Sequence, residues 1–271
     1  IKEILLYRDI YGKMFMVYTL LCMHKQLPRS SPDWIAELHN LEERYFRYSI
    51  LLERSMLHPI FGLKTGKLSD EDVRISAEKP SSRMQTVLRD LQHNDLLKER
   101  VLILGKYSEP LRILALYLKN TNRVISEHFG CHSHSQREKA LQSFKESTAG
   151  IFIATWDSFG VGFNLPESNV VYWFNTPKSP GVLTQGNGRV RRPLVQSSHI
   201  WSAFYMNAGD KSYDEYILSQ YENRLNESVS LVDDCEGHIP HSQRENCKIG
   251  GICMGAMLPG ETESYKQNIK E

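Results

Sequence analysis

A chain of 271 residues, 41% hydrophobic and 24% charged, is long enough for one or two cored domains and has the make-up of a globular protein, not a disordered or fibrous one. A net charge of +1 excludes a polyanion binder that works by overall charge, so any basic surface must be a local patch. Five cysteines, odd in number and unevenly spaced, exclude a disulfide framework and favour a reducing compartment.

The longest apolar stretch, residues 14–23, is too short to cross a bilayer, and no cleavage pattern comes after it. No membrane association is expected. Opening on Ile1 is expected of a segment of something longer.

The first element is a helix with a broad apolar face made by Leu5, Leu6, Ile10 and the 14–23 run. A connector with Pro28 and Pro32 comes next, and Ser31-Pro32-Asp33 reads as an N-cap with proline in the first turn. The second helix carries Trp34, Ile35, Leu38, Leu41, Tyr45 and Phe46 and stops at His58-Pro59, since proline disfavours helix in the residue before it. Residues 60–80, mostly polar and charged, read as a surface loop or link.

Beyond Pro80 the pattern changes. Ser82 can cap a helix running to about Leu97. Strands are expected at residues 101–104, around Val124-Ile125, at 151–154, 170–174 and 200–205, with helices between them. Short, continuously apolar strands alternating with helices predict an α/β fold: a parallel sheet with helices on both faces, preceded by a helical segment. Ligands of such sheets sit at the carboxyl ends of the strands, so the turns after Leu104, Ala154 and Phe174 are expected to share one edge with the helix between the last two strands. Residues 213–231 form a final amphipathic helix. Domain limits are accordingly set at 1–79, 80–231 and 232–271, the last an irregular, poorly ordered tail.

The octet Gln185-Gly186-Asn187-Gly188-Arg189-Val190-Arg191-Arg192 lies on that helix. Gln-x-x-Gly-Arg-x-x-Arg spacing sets two guanidiniums about one helical turn apart. From there both can reach one polyphosphate, to which arginine makes paired bonds without ever losing its charge. A solvated basic helix face has the same spacing. Gly160 and Gly162, after the third strand, allow a tight turn with N–H groups beside phosphate, or simply a turn. In the tail, Cys235, His238, His241, Cys247 and Cys253 match no zinc-finger spacing, and no metal site is assigned there.

These blocks, in this order, resemble the second RecA-like lobe of superfamily 2 helicases, and most closely the Swi/Snf-type DNA translocases. The resemblance rests on the octet, on the His-Pro helix, on Val101-Leu102-Ile103-Leu104-Gly105-Lys106-Tyr107-Ser108, on Gly130, Ser133, Arg137 and Phe144, and on Thr155 with Gly160-Val161-Gly162-Phe163-Asn164-Leu165. It covers about residues 45–230. The chain departs from the family at Asn175, Pro177-Lys178, Arg191 and Pro193-Leu194-Val195, which leaves both arginines in place and sets it apart from nucleosome remodellers.

The resemblance implies a RecA-like lobe that closes on ATP and Mg²⁺ held mainly by an N-terminal RecA-like lobe, in the same or another chain. Arg189 and Arg192 would be arginine fingers, with Gln185, Gly188, Gly160, Gly162 and Asn164 around the nucleotide. Lys106, Ser108, Arg137 and Thr155 would touch a nucleic-acid backbone, most of all that of double-stranded DNA. The nucleus, or an intracellular site of viral DNA replication, would be the place of work. An RNA helicase lobe and a catalytically silent interaction module are the alternatives. No Gly-x-x-x-x-Gly-Lys-Ser/Thr stands in the sequence, so this chain alone is not expected to hydrolyse ATP.

Overall fold

A computed structural model describes residues 2–26, 32–64, 66–93, 96–159, 164–168, 170–177, 179–190, 201–204 and 213–233. Two long helices come first, α1 (Lys2–Gln26) and α2 (Pro32–Leu57). At the tip of this hairpin the Trp34 indole N–H donates to the His24 carbonyl (3.1 Å), His24 Nε2 bonds the Trp34 carbonyl (2.9 Å), and the two rings stack. Ile10, Met14, Val17 and Leu21 face α2, whereas Leu5, Met16 and Met23 are 59%, 62% and 61% exposed. Only half of the apolar face read from the sequence is therefore covered. Among the described residues no helix is long and apolar enough to cross a membrane.

His58 ties the end of α2 to Ile60 and Lys79. Ile60 N–H donates to His58 Nδ1 (3.2 Å), which leaves the ring proton on Nε2 to meet the Lys79 carbonyl (3.0 Å).

Residues 60–80 are not the expected surface loop. They hold α3 (Ile60–Leu63) and α4 (Asp70–Glu78). Ser69 and Asp72 form a reciprocal capping box, and Lys64, then Ser69, hold the Asp72 carboxyl down to about 2. Phe61, Leu68, Val73 and Ala77 enter the same core as the sheet. The helix escapes a periodicity search because its nine residues carry so few buried apolar side chains. Next comes α5 (Ser82–Leu91), capped by Ser81 instead of Ser82 and ending short of Leu97.

The remaining elements alternate: β1 (Val101–Gly105), α6 (Ser108–Leu118), β2 (Ile125–His128), α7 (His134–Glu146), β3 (Ile151–Thr155), the single turn α8 (Trp156–Phe159), β4 (Val170–Trp173), α9 (Pro180–Val190), β5 (Trp201–Phe204) and α10 (Tyr213–Asp233). All five expected strands form. They pair in the order β2-β3-β1-β4-β5, every neighbour parallel. This is the RecA-like parallel sheet, preceded by a helical segment.

Side chains alternate across each strand, so β1 feeds two cores. Val101 and Ile103 pack with residues of α3 to α6, and Leu102 and Leu104 pack with Phe144, Phe159, Leu183, Val190 and Tyr221. Burial on both faces is why β1, β3 and β4 read as unbroken apolar runs. Helix α10 joins hairpin to lobe: Tyr213 and Ile217 pack beside Ile10, Met14 and Leu52, whereas Tyr221 lies in the sheet core.

A carboxyl-edge cleft and the arginine helix

Strands β1, β2 and β3 end side by side, with Gly105 level with Thr155 and His128 level with Ala154. Beyond these ends lies a cleft of about 890 Å³. Lys106, Ser108, Arg137 and Thr155 all line it, although 49 positions separate the first from the last. His128, Asp157 and Ser158, which no sequence motif singled out, line it as well.

Each wall residue is placed by its own element. The Lys106 peptide N–H donates to Asn175 Oδ1 (3.0 Å), which pins the β1–α6 turn to the segment after β4. A methyl group at Gly105 would come within 3.1 Å of the same Asn175 oxygen. Asn175, one of the departures from the family, is thus a buried brace. Ser133 caps α7 in a capping box with Gln136 and so starts the helix that carries Arg137. The Arg137 Nε is buried without a hydrogen-bond partner among the described residues. The Thr155 hydroxyl donates inward to Ser158 Oγ (2.8 Å), which lies 2.9 Å from both the His128 and Thr155 carbonyls. Burial, ahead of the nearby Arg137 charge, lowers the His128 pKa, so its ring is neutral at neutral pH.

Two fixed cations, Lys106 and Arg137, share this cleft with the carboxylates of Glu138 and Asp157. It is polar and mixed in sign. The Lys106 ammonium meets Glu53 on α2 at 2.7 Å. Glu53 was not singled out from the sequence, although it falls with Ser49, Leu52 and Leu57 on the inward stripe of its helix, which is the signal that could have revealed it.

The arginine helix does not share this edge along its whole length. A helix between two parallel strands must run back against them, so α9 starts at the carboxyl edge and descends. Gly186 lies against Trp173 and Leu104 near the strand ends, and Asn187 Oδ1 accepts from Ser202 Oγ (3.1 Å) of β5, one position from the strand start. Arg189 is one further turn along and half-buried. The expectation that the arginines stand at the carboxyl edge is therefore corrected for Arg189, whose carbonyl accepts from Leu165 N–H at 3.0 Å. This bond brings the arginine helix against the end of the Gly160–Leu165 block.

Gln185 and Gly188 are exposed on the outer side of α9, and a Cβ on Gly188 would meet nothing within 4 Å. Asn164 Oδ1 is buried and accepts no hydrogen bond among the described residues. Gly160, Gly162, Arg192, the departures at residues 191–195 and the Cys/His tail all lie outside the described residues. No group of three or more His, Cys, Asp or Glu placed to hold a metal ion is found among the described residues.

Along the sequence that builds this geometry, residues 83–193 match the family "Helicase conserved C-terminal domain". Residues 83–193 therefore form a helicase C-terminal domain. Its fold is Swi/Snf-like. The crystal structure of the C-terminal part of the Fun30 ATPase domain superimposes with a TM-score of 0.52 at 18% identity, covering 79% of this chain and 84% of that one. The Sulfolobus solfataricus SWI2/SNF2 ATPase C-terminal domain does so with 0.52 at 15% identity, covering 94% of each. Helicase domino of Drosophila melanogaster is 25% identical over 166 residues, which are 60% of this chain and 5% of that protein. The helicase lobe thus corresponds to a small part of that relative.

Proposed function

We propose that this helicase lobe is the second half of an ATP-driven DNA translocase. One observation carries the reading. Segment 155–165 leaves the cleft wall at Thr155 and Ser158 and ends at the Leu165–Arg189 bond, so one stretch of backbone joins the cleft to the arginine helix. Movement at either end would be felt at the other.

The nucleotide belongs on the flank of the lobe beside α9 and Asn164, and an N-terminal RecA-like lobe completes that site. Arg189 suits phosphate oxygens, and Asn164 Oδ1, which has no hydrogen-bond partner among the described residues, suits a donor such as a hydroxyl or water. ATP with Mg²⁺ would supply a transferable phosphoryl group whose charge the arginines offset. Arg189 and Arg192 act there as fingers, Gln185 and Gly188 face the other lobe, and Gly160 and Gly162 turn backbone N–H groups toward phosphate. The metal is left to the N-terminal lobe.

The cleft at the carboxyl edge takes the nucleic-acid backbone, with Arg137, Lys106, Ser108 and Thr155 as its contacts. Such contacts set position and track without reading bases. The balance of charges in the cleft gives a light grip, as a motor that must release its track at every step requires. Double-stranded DNA is the polymer proposed, and the nucleus or a viral replication site the place of action.

The test is ATP turnover by a protein holding both lobes, with duplex DNA, single-stranded DNA and RNA compared. Duplex DNA is expected to stimulate most. Arg189→Ala and Arg192→Ala are each expected to lower stimulated turnover by ~10³-fold or more. Undiminished turnover in both variants rejects the finger assignment. Stimulation by RNA alone makes this an RNA helicase lobe, and no turnover with any polymer makes it a silent module.

A further inference from the structure

Glu53 is 5% exposed, yet its carboxylate serves groups from separate parts of the fold. Oε2 accepts from Lys106 Nζ (2.7 Å) and from the Tyr107 hydroxyl (2.6 Å), both on the turn that ends β1. Oε1 accepts from the Tyr213 hydroxyl (3.3 Å) at the start of α10. Tyr213 N–H in turn donates to the Tyr7 hydroxyl of α1 (2.8 Å). Burial, then the Glu53 charge, pushes both Tyr107 and Tyr213 hydroxyls far above their ordinary range, which keeps them protonated donors. The helical hairpin, α10 and the cleft rim therefore meet at one buried acid.

Lys106 is the consequence that matters. It is one of only two fixed cations lining the cleft among the described residues, and its charge is cancelled at contact distance from outside the cleft. A phosphate drawn to Lys106 must approach Glu53 as well. If it takes the ammonium away, Glu53 is still held by two tyrosine hydroxyls, so the carboxylate can let go of Lys106 without being stranded in the core.

We infer that Glu53 is a positioning residue that holds Lys106 partly withdrawn and so sets how firmly the cleft grips a polyanion. The inference rests on the reading of this cleft as the nucleic-acid track. It makes the helical segment before the lobe a regulator of the track: any shift of α2 relative to the β1–α6 turn would free Lys106 and tighten the grip.

The experiment is fluorescence anisotropy of a labelled duplex DNA titrated with the 271-residue chain over a series of salt concentrations. Glu53→Gln, which removes the charge, keeps an acceptor for one tyrosine and can donate its amide N–H to the hydroxyl oxygen of the other, is expected to bind roughly fivefold more tightly at low salt. Its log–log salt slope should steepen by about 0.9, as one added phosphate contact gives. Glu53→Asp should keep the wild-type slope. Glu53→Gln combined with Lys106→Gln should bind no more tightly than Lys106→Gln alone. Wild-type affinity and slope in Glu53→Gln, or a gain that persists without Lys106, overturns the inference and leaves the track standing. If the wild-type chain and an Arg137→Ala variant bind duplex equally, the track reading fails and the inference goes with it.

Discussion

A methyl group added at Gly186 would lie 2.5 Å from Cη2 of Trp173 and 3.1 Å from Cδ1 of Leu104, inside a core with no slack. Gly186→Ala should therefore cost about 1–3 kcal/mol, read as a fall in Tm. Gly188, two positions on, meets open space, and the same change there should raise Tm, since alanine is the better helix former. An equal response at both positions would show that α9 does not pack on Trp173 as described. The two glycines stand in one motif for different reasons. Gly186 shares the apolar stripe of Leu183 and Val190, a spacing visible in the sequence, but the ring that forbids a side chain belongs to another element. The same holds for Glu53: its place on the inward face of α2 could be read, and its pairing with Lys106, Tyr107 and Tyr213 could not.

Helix α4 shows how a segment with almost no apolar pattern is held in place. Ser69 and Asp72 fix its first turn, Val73 and Ala77 sit in the main core, and Arg112 of α6 reaches Asp70 at 3.0 Å. Loss of the cap in Ser69→Ala should cost about 1 kcal/mol, checked by denaturant unfolding. If the midpoint does not move, the capping box contributes nothing to the lobe. The strands were legible for the opposite reason. Strands β1, β3 and β4 are buried on both faces, so their apolar character is continuous and survives any choice of neighbours. The octet of α9 was legible too, but not the direction in which it carries Arg189. Only the parallel connection from β4 to β5 turns that helix away from the carboxyl edge.

The pieces are locked together by pairings between residues far apart in the chain. Arg83 of α5 donates to the Phe174 carbonyl (2.8 Å) and to Asp214 of α10 (2.5 Å), and both partners of that ion pair are buried. Thr176 adds a bond to the other Asp214 oxygen (3.3 Å). Asp214→Asn would leave the Arg83 guanidinium buried beside a neutral amide and should cost about 3–5 kcal/mol, with α10 and the hairpin loosened together. Replacing both residues at once by apolar ones of similar size should recover most of the loss. A single variant with wild-type stability would mean that the ion pair is not what clamps α10.

Local chemistry was enough to announce the strands, the long helices and the arginine octet, because each depends on residues within a few positions of one another, and the order of these blocks along the chain carried the resemblance to a RecA-like lobe. Folding in three dimensions was needed to gather Lys106, Arg137, Thr155 and His128 at one cleft, to set Glu53 against Lys106, and to bring Arg189 to Leu165. A carboxylate and the cation it neutralises carry no mutual mark in the chain when 53 positions separate them. Their pairing exists only once packing has removed water from between them.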